Sequence, residues 1–335
     1  MYDLITLGSA TRDVFLMSRA MHPHRSKDAL THLEACFPFG AKIGVDEIHF
    51  STGGGATNSA ATFARLGKFK VAAITRLGRD RAGQDILEAL RQDHVDTRFV
   101  QRDPQKQTAY AAILSPGGEV GERTILVYRG ASKKIEHRQI PWSELKARWF
   151  YVSSLGGDFI LLKKLFKHAK KISAQVAFNP GGQELSRPSV MASAMKPFLY
   201  WLILNREEAS KLTGVPHISL KKLLTSLSNF APRVIMTDGP RGAYAVIRRH
   251  PERSEGSPTP VGSPSREILR SVQNDFAAYY VPSVGHKPKN LTGAGDAFGS
   301  GFVTGWIKSR GSIEEALRVA AINADSVVQH VGAKV

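Results

Sequence analysis

Thr292-Gly293-Ala294-Gly295-Asp296, running on into Ala297-Phe298-Gly299-Ser300-Gly301-Phe302-Val303-Thr304-Gly305-Trp306, is the stretch from which the rest of the chain is read. Its small residues let the backbone turn tightly into a helix, where unpaired N–H groups converge and attract an anion. A carboxylate beside such a hole repels phosphate, so Asp296 needs a task there. It has one if it takes a proton from a nucleophile while the amides hold a transferring phosphoryl group. That is the outline of a small-molecule kinase.

Upstream of this turn, short aliphatic runs alternate with amphipathic stretches. Strands are expected at Leu4–Leu7, Val71–Thr75, Trp149–Val152, Val176–Phe178, Trp201–Leu204 and Val234–Thr237, and helices at Asn58–Leu66, Ala82–Gln92, Ile160–Ile172 and Leu220–Ser228. The alternation predicts an α/β fold: a three-layer, doubly wound, mainly parallel sheet with helices on both faces. Two stretches break it, about 14–51 and 108–129. They read as extended segments with turns and are expected to form a small β-sheet lid over the site. Downstream, Ser312 followed by Glu315 is a capping-box signature, and Leu317, Ala320, Ala321, Ala324 and Val328 then recur at helical spacing.

The 335 residues suffice for one large α/β domain, 1–335, and composition is ordinary, 42% hydrophobic and 22% charged. No apolar run approaches a membrane span and no signal-peptide pattern precedes Leu4, so a cytoplasmic protein without a membrane partner is expected. Cys36 is the only cysteine, which excludes an internal disulfide framework and any multi-cysteine metal site. The net charge of +17 suits anionic substrates such as nucleotides. Its carriers are dispersed into pairs such as Lys163-Lys164, Lys170-Lys171 and Lys221-Lys222 on helix faces, which argues against a nucleic-acid partner. Residues 248–275, rich in Ser, Pro, Gly and charge, interrupt the plan. They resemble translated repetitive DNA and are expected to be a disordered insertion at a hairpin tip, where added length costs little.

A second glycine cluster, Gly53-Gly54-Gly55-Ala56-Thr57-Asn58-Ser59-Ala60, leads into a helix near the start of the chain. Consecutive glycines admit a ligand close to the backbone, and Asn58 offers both a donor and an acceptor to hydroxyls. Alone, a glycine turn before a helix is as readily structural. The two clusters in this order, with Gly8-Ser9-Ala10-Thr11-Arg12-Asp13, Gly78-Arg79-Asp80, Asn179-Pro180, Asn205-Arg206-Glu207-Glu208 and Thr237-Asp238-Gly239-Pro240-Arg241-Gly242, resemble the ribokinase-like (PfkB) family of carbohydrate kinases. The resemblance covers nearly the whole chain apart from the insertion.

The resemblance implies Asp296 as the base that deprotonates an acceptor hydroxyl, with Gly293, Ala294 and Gly295 as the anion hole for the γ-phosphate of ATP. It implies that Asp13, Gly54, Gly55 and Asn58 hold the acceptor's hydroxyls. Asn179, Asn205, Glu208, Thr237, Gly239 and Gly242 fall on its nucleotide side, Glu208 binding Mg2+ through water. Read as residues alone, Asn205 is equally a helix cap and Asp13 the end of a strand. Asn290 stands where the resemblance implies an aspartate of a potassium site, which counts against a monovalent cation, and the chain stops at Val335, where relatives usually continue. A homodimer through the lid is expected, because an exposed sheet face is a liability. The acceptor that the resemblance implies is a sugar; a nucleoside, or an already phosphorylated sugar, is the alternative within kinases. A weak kinase fold acting as a sugar or nucleotide sensor is the alternative outside them. Neither G-x-G-x-x-G after the first strand nor G-x-x-x-x-G-K-S/T occurs, so a nicotinamide dehydrogenase and a P-loop enzyme are excluded.

Overall fold

The computed structural model describes residues 1–26, 33–116, 123–195, 198–248, 269–273, 276–286 and 288–334. Its first strand is buried at every position but Asp3, the signature of a central parallel strand covered on both faces. In chain order the strands are β1 (Tyr2–Leu7), β2 (Thr11–Met17), β3 (Glu47–Gly53), β4 (Val71–Ile74), β5 (Ala109–Ser115), β6 (Thr124–Tyr128), β7 (Ala147–Val152), β8 (Gln175–Phe178), β9 (Trp201–Asn205), β10 (Arg233–Thr237), β11 (Ala243–Arg248), β12 (Leu269–Gln273) and β13 (Phe276–Val281). Two short ladders, Pro23–Arg25 with Leu33–Ala35 and Arg76–Gly78 with Gln101–Asp103, stand apart.

The main sheet runs β12-β13-β11-β10-β9-β8-β7-β1-β4. From β4 to β10 all pairings are parallel, and the last three strands are antiparallel. Nine helices among the described residues flank it: α1 (Gly55–Arg65), α2 (Arg81–Gln92), α3 (Phe159–Lys171), α4 (Gly182–Leu185), α5 (Pro188–Met195), α6 (Arg206–Thr213), α7 (Leu220–Phe230), α8 (Ala294–Lys308) and α9 (Ile313–Val328). One core lies between the sheet and α3, α5, α6 and α7, through Leu165, Met191, Leu212 and Leu227. The other lies under α1, α2, α8 and α9, through Phe63, Leu90, Phe302 and Leu317. The three-layer plan expected from the alternation is therefore present. Gly305 lets α8 and α9 approach closely, since a Cβ there would come 2.8 Å from the Ala316 Cα.

The lid is a four-stranded sheet, β6-β5-β2-β3. It begins at Thr11, against an expected boundary of about 14: only Gly8-Ser9-Ala10 separates β1 from β2, so Asp13 sits inside this ladder, opposite Ser51 and Ala111, rather than at the end of a strand. Its other root is Thr108, whose N–H and hydroxyl both donate to the Asp80 carboxylate, at 2.7 and 2.6 Å. Asp80 also caps α2 through the Gly83 N–H, and burial is outweighed by these bonds, so its pKa is lowered.

Two further expectations are modified. Within the stretch read as a disordered insertion, Leu269–Gln273 pairs with β13, whose outer edge offers free N–H and C=O groups; residues 249–268 and 274–275 lie outside the described residues. Ser312 caps α9 by accepting the Glu315 N–H at 3.2 Å, but the Glu315 carboxylate turns to Arg318 instead of closing the box.

Candidate active site

Parallel strands bring their C-terminal ends to one edge of a sheet, where ligands of doubly wound folds bind. Here that edge carries Gly8 after β1, Ser153 after β7, Asn179 after β8, Asn205 at the end of β9 and Thr237 at the end of β10. The Thr292–Asp296 turn enters it from α8. Gly293 adopts the left-handed conformation, φ 83°, at the helix N-cap. No backbone acceptor among the described residues takes the N–H of Gly293, Gly295 or Asp296, while Ala294 leans weakly on the Leu291 carbonyl at 3.4 Å. A Cβ on Gly295 would meet nothing within 4 Å, so open space lies beside this part of the turn. An anion fits these amides.

Asp296 stands in the first turn of α8 and accepts a hydrogen bond from Asn58 Nδ2 at 2.9 Å, across 238 residues of sequence. Burial raises its pKa, and the Asn58 bond and the Lys334 charge oppose the rise. A raised carboxylate pKa suits a general base. Asn58 lies in α1, and Gly54, at φ 97°, turns the chain from the lid into that helix; a Cβ there would come 2.5 Å from the Ser9 carbonyl. A Cβ at Gly55 would lie 3.6 Å from Asp296 Oδ1. A Cβ on the preceding Gly53 would strike Asp13. Asp13 is pushed up to about 6, first by burial and further by Asp296, with a hydrogen bond from Thr11 and the charges of Lys334 and Arg12 opposing. Asp13 Oδ1 and Asn58 Oδ1 are both buried with no partner. Hydroxyl donors from a ligand would satisfy unpartnered buried oxygens of this kind.

Of the residues expected on the nucleotide side, Asn179, Asn205 and Glu208 are already bonded within the protein. Asn205 and Glu208 form a reciprocal cap on α6: Asn205 Oδ1 accepts the Glu208 N–H and Glu208 Oε2 accepts the Asn205 N–H, each at 2.8 Å. Burial raises the Glu208 pKa and the Asp296 charge adds to it, so the two carboxylates are within electrostatic reach. Asn179 Nδ2 donates to the Ile203 carbonyl at 2.9 Å and ties β8 to β9. Thr237 pairs with Asn205 in the ladder. Gly239 faces open space, whereas the glycine at 242 is required by its φ of +97° and by packing, since a Cβ there would lie 2.1 Å from the Val281 carbonyl oxygen.

Asn290 is buried, with Oδ1 accepting the Thr292 N–H at 2.9 Å and Nδ2 unpartnered. It turns a donor, not a second oxygen, toward its surroundings, and a monovalent cation does not fit that donor. Among the described residues no group of three or more His, Cys, Asp or Glu is placed to hold a metal ion. No helix among them is long and apolar enough to cross a membrane.

Two features escaped the sequence reading. Asp238, quoted only as part of a motif, is a buried carboxylate held by Arg206 and Arg241 at 2.5 and 2.7 Å. Lys334 reaches Thr52 Oγ1 at 2.7 Å, between the glycine cluster and the anion hole. Lys334 and the Arg206 half of the Asp238 pairing have no local signal, because they join distant segments; Arg241 is only three residues from Asp238.

The profile of the pfkB family carbohydrate kinases matches residues 28–335. The chain is 24% identical to a ribokinase of Haemophilus influenzae over 290 residues, covering 84% of this chain and 82% of that protein. It is 26% identical to a cytidine kinase of Thermococcus kodakarensis over 302 residues, 87% and 95% of the two chains. The structure of Arabidopsis thaliana ribokinase complexed with ribose and ATP shares the fold at a TM-score of 0.73, with 21% identity over 99% of this chain and 94% of that one.

Proposed function

The chain belongs to the pfkB family of carbohydrate kinases, and from that premise we propose that it transfers the γ-phosphoryl group of ATP to a hydroxyl of a sugar. The observation that carries this reading is the Asn58–Asp296 bond, which joins the two glycine clusters into one site with a base, an anion hole and unpartnered oxygens for hydroxyls. In this reading Asp13 and Asn58 hold the sugar, and Asp296 accepts the proton of the attacking hydroxyl. The free amides of the Gly293–Gly295 turn take up charge as the phosphoryl group moves in line. Asn179, Asn205, Thr237, Gly239 and Gly242 border the nucleotide. The lid then excludes water.

Mg2+ fits the single carboxylate Glu208, because magnesium keeps several waters and binds through one or two carboxylates plus phosphates. It would neutralise charge on the phosphates. Asn290 gives no such fit for potassium, and activity without potassium, within about twofold of activity with it, is the expectation. The compartment this reading requires is the cytoplasm, where ATP and free sugars meet.

A nucleoside acceptor is the second reading. The cytidine kinase likeness favours it, and a nucleoside presents ribose hydroxyls to the same two residues. The lid also supports a homodimer: Ile48 and Phe50 on β3 and Leu126 and Tyr128 on β6 share one face of its sheet and are all more than half exposed, an apolar surface suited to a second copy. Sedimentation at assay concentrations showing only monomer would remove the dimer. ADP release measured over ribose, fructose, cytidine and adenosine tests the activity. Turnover of one neutral polyol supports the kinase; turnover of none, with ATP bound, argues for a sensor instead.

A further inference from the structure

Lys334 stands outside both glycine clusters, yet the preceding residues fix where it goes. Val331 packs on Phe15, Ala111 and Ile113, the small core of the lid. Gly332 has φ +119°, and a Cβ on it would lie 3.1 Å from Ser51 Oγ. Ala333 is buried against the anion-hole turn, so close that a Cβ on Gly293 would come 2.5 Å from the Ala333 Cβ. The segment is thus clamped between lid and anion hole. The half-buried Lys334 side chain extends to Thr52 on β3, the edge strand of the lid sheet, and its charge acts on both Asp13 and Asp296.

We propose that Lys334 is an acceptor-binding residue: Thr52 fixes one N–H of its ammonium, and the other two are donors for an oxygen of the acceptor held between Asp13 and Asp296. An ammonium has three N–H donors and no acceptor. It therefore complements Asp13 Oδ1 and Asn58 Oδ1, which accept and are unpartnered. Vicinal hydroxyls satisfy both kinds of group, each giving its proton to an oxygen and offering a lone pair to the ammonium. They do so without bringing a further charge into the site, so the class is a neutral polyol. Burial lowers the Lys334 pKa to about 8, with Asp93, Asp13 and Asp296 holding it up and Arg65 pressing it down. The donor is charged at neutral pH and is lost as pH rises through that value.

This inference rests on the phosphoryl-transfer reading, and the test separates the two. Steady-state kinetics of the full chain with its best neutral polyol are compared in wild type, Lys334→Met and Lys334→Arg, with acceptor binding followed by calorimetry without nucleotide. Lys334→Met is expected to raise the acceptor KM and weaken calorimetric binding about tenfold or more, the loss of a charged hydrogen bond, with the KM for ATP within about twofold. In wild type the acceptor KM rises above about pH 8. In Lys334→Arg that rise vanishes, because guanidinium does not titrate there, and this arm decides should Lys334→Met not fold. Wild-type turnover with acceptor KM, binding and pH profile unaltered by either substitution overturns this inference alone. Equal rises in both KM values also overturn it, by showing a merely structural role. Absence of turnover of every neutral polyol by wild type overturns the phosphoryl-transfer reading and this inference with it.

Discussion

Asp13 and Asp238 are equally buried, each 4% exposed, yet the protein treats them in opposite ways. Asp238 lies between two guanidiniums; burial alone would raise its pKa, and the hydrogen bonds from Arg241 and Arg206 outweigh burial and lower it. Asp13 keeps an oxygen without a partner and titrates near 6. The first region is complete within the protein. The second is left unfinished, and a buried unfinished carboxylate is a cost in stability that a ligand can offset.

The largest expected effect falls in the unfinished region. Asp296→Asn keeps the Asn58 contact geometry but removes the base, and turnover is expected to fall by about a hundred- to ten-thousand-fold with acceptor and ATP binding retained. Loss of binding together with turnover would mean that Asp296 organises the site instead. Next comes Arg206→Met, which leaves Asp238 with only the exposed Arg241. It is expected to lower stability by about 3 kcal/mol, read by denaturant unfolding, with little change in acceptor KM.

Asp13→Asn is expected to act in the opposite direction on stability. Asp13 titrates at an ordinary 3.8 in the unfolded chain and at about 6 in the folded one, so the native state holds its proton more tightly. The stability tied to that proton is fully present below about pH 4 and lost as pH rises through about 6. The amide removes this loss. The variant should exceed wild type by up to about 3 kcal/mol at pH 8, with the difference closing toward pH 4. A difference independent of pH would contradict the assignment. Smallest is Glu208→Gln. Glutamine preserves the reciprocal cap with Asn205, so stability should hold within about 0.5 kcal/mol while the Mg2+ concentration for half-maximal activity rises. An unchanged Mg2+ requirement would return Glu208 to the role of a cap.

The same contrast governs what could be read beforehand. Strands such as Val71–Ile74 and Val234–Thr237 and helices such as Leu220–Phe230 announce themselves by periodicity, because each buries its own residues. Asp296 and Asn58 were legible because small residues cluster beside them. The lid begins at Thr11, against an expected boundary of about 14: Asp13 lies in a strand that follows β1 after three residues and has no turn of its own. The edge strand Leu269–Gln273 depends on a partner offered by β13, and Lys334 on the folding of Val331 onto Phe15. Long-range pairings of this kind leave no mark in local composition.

The claim that the unpartnered groups await an acceptor is tested most directly by titrating the best polyol calorimetrically, without nucleotide, into wild type, Asp13→Asn and Glu208→Gln. The expected result is binding by wild type and Glu208→Gln with equal affinity, and an affinity about ten- to a hundredfold lower for Asp13→Asn. Undiminished binding by Asp13→Asn, or an equal loss in Glu208→Gln, would contradict it.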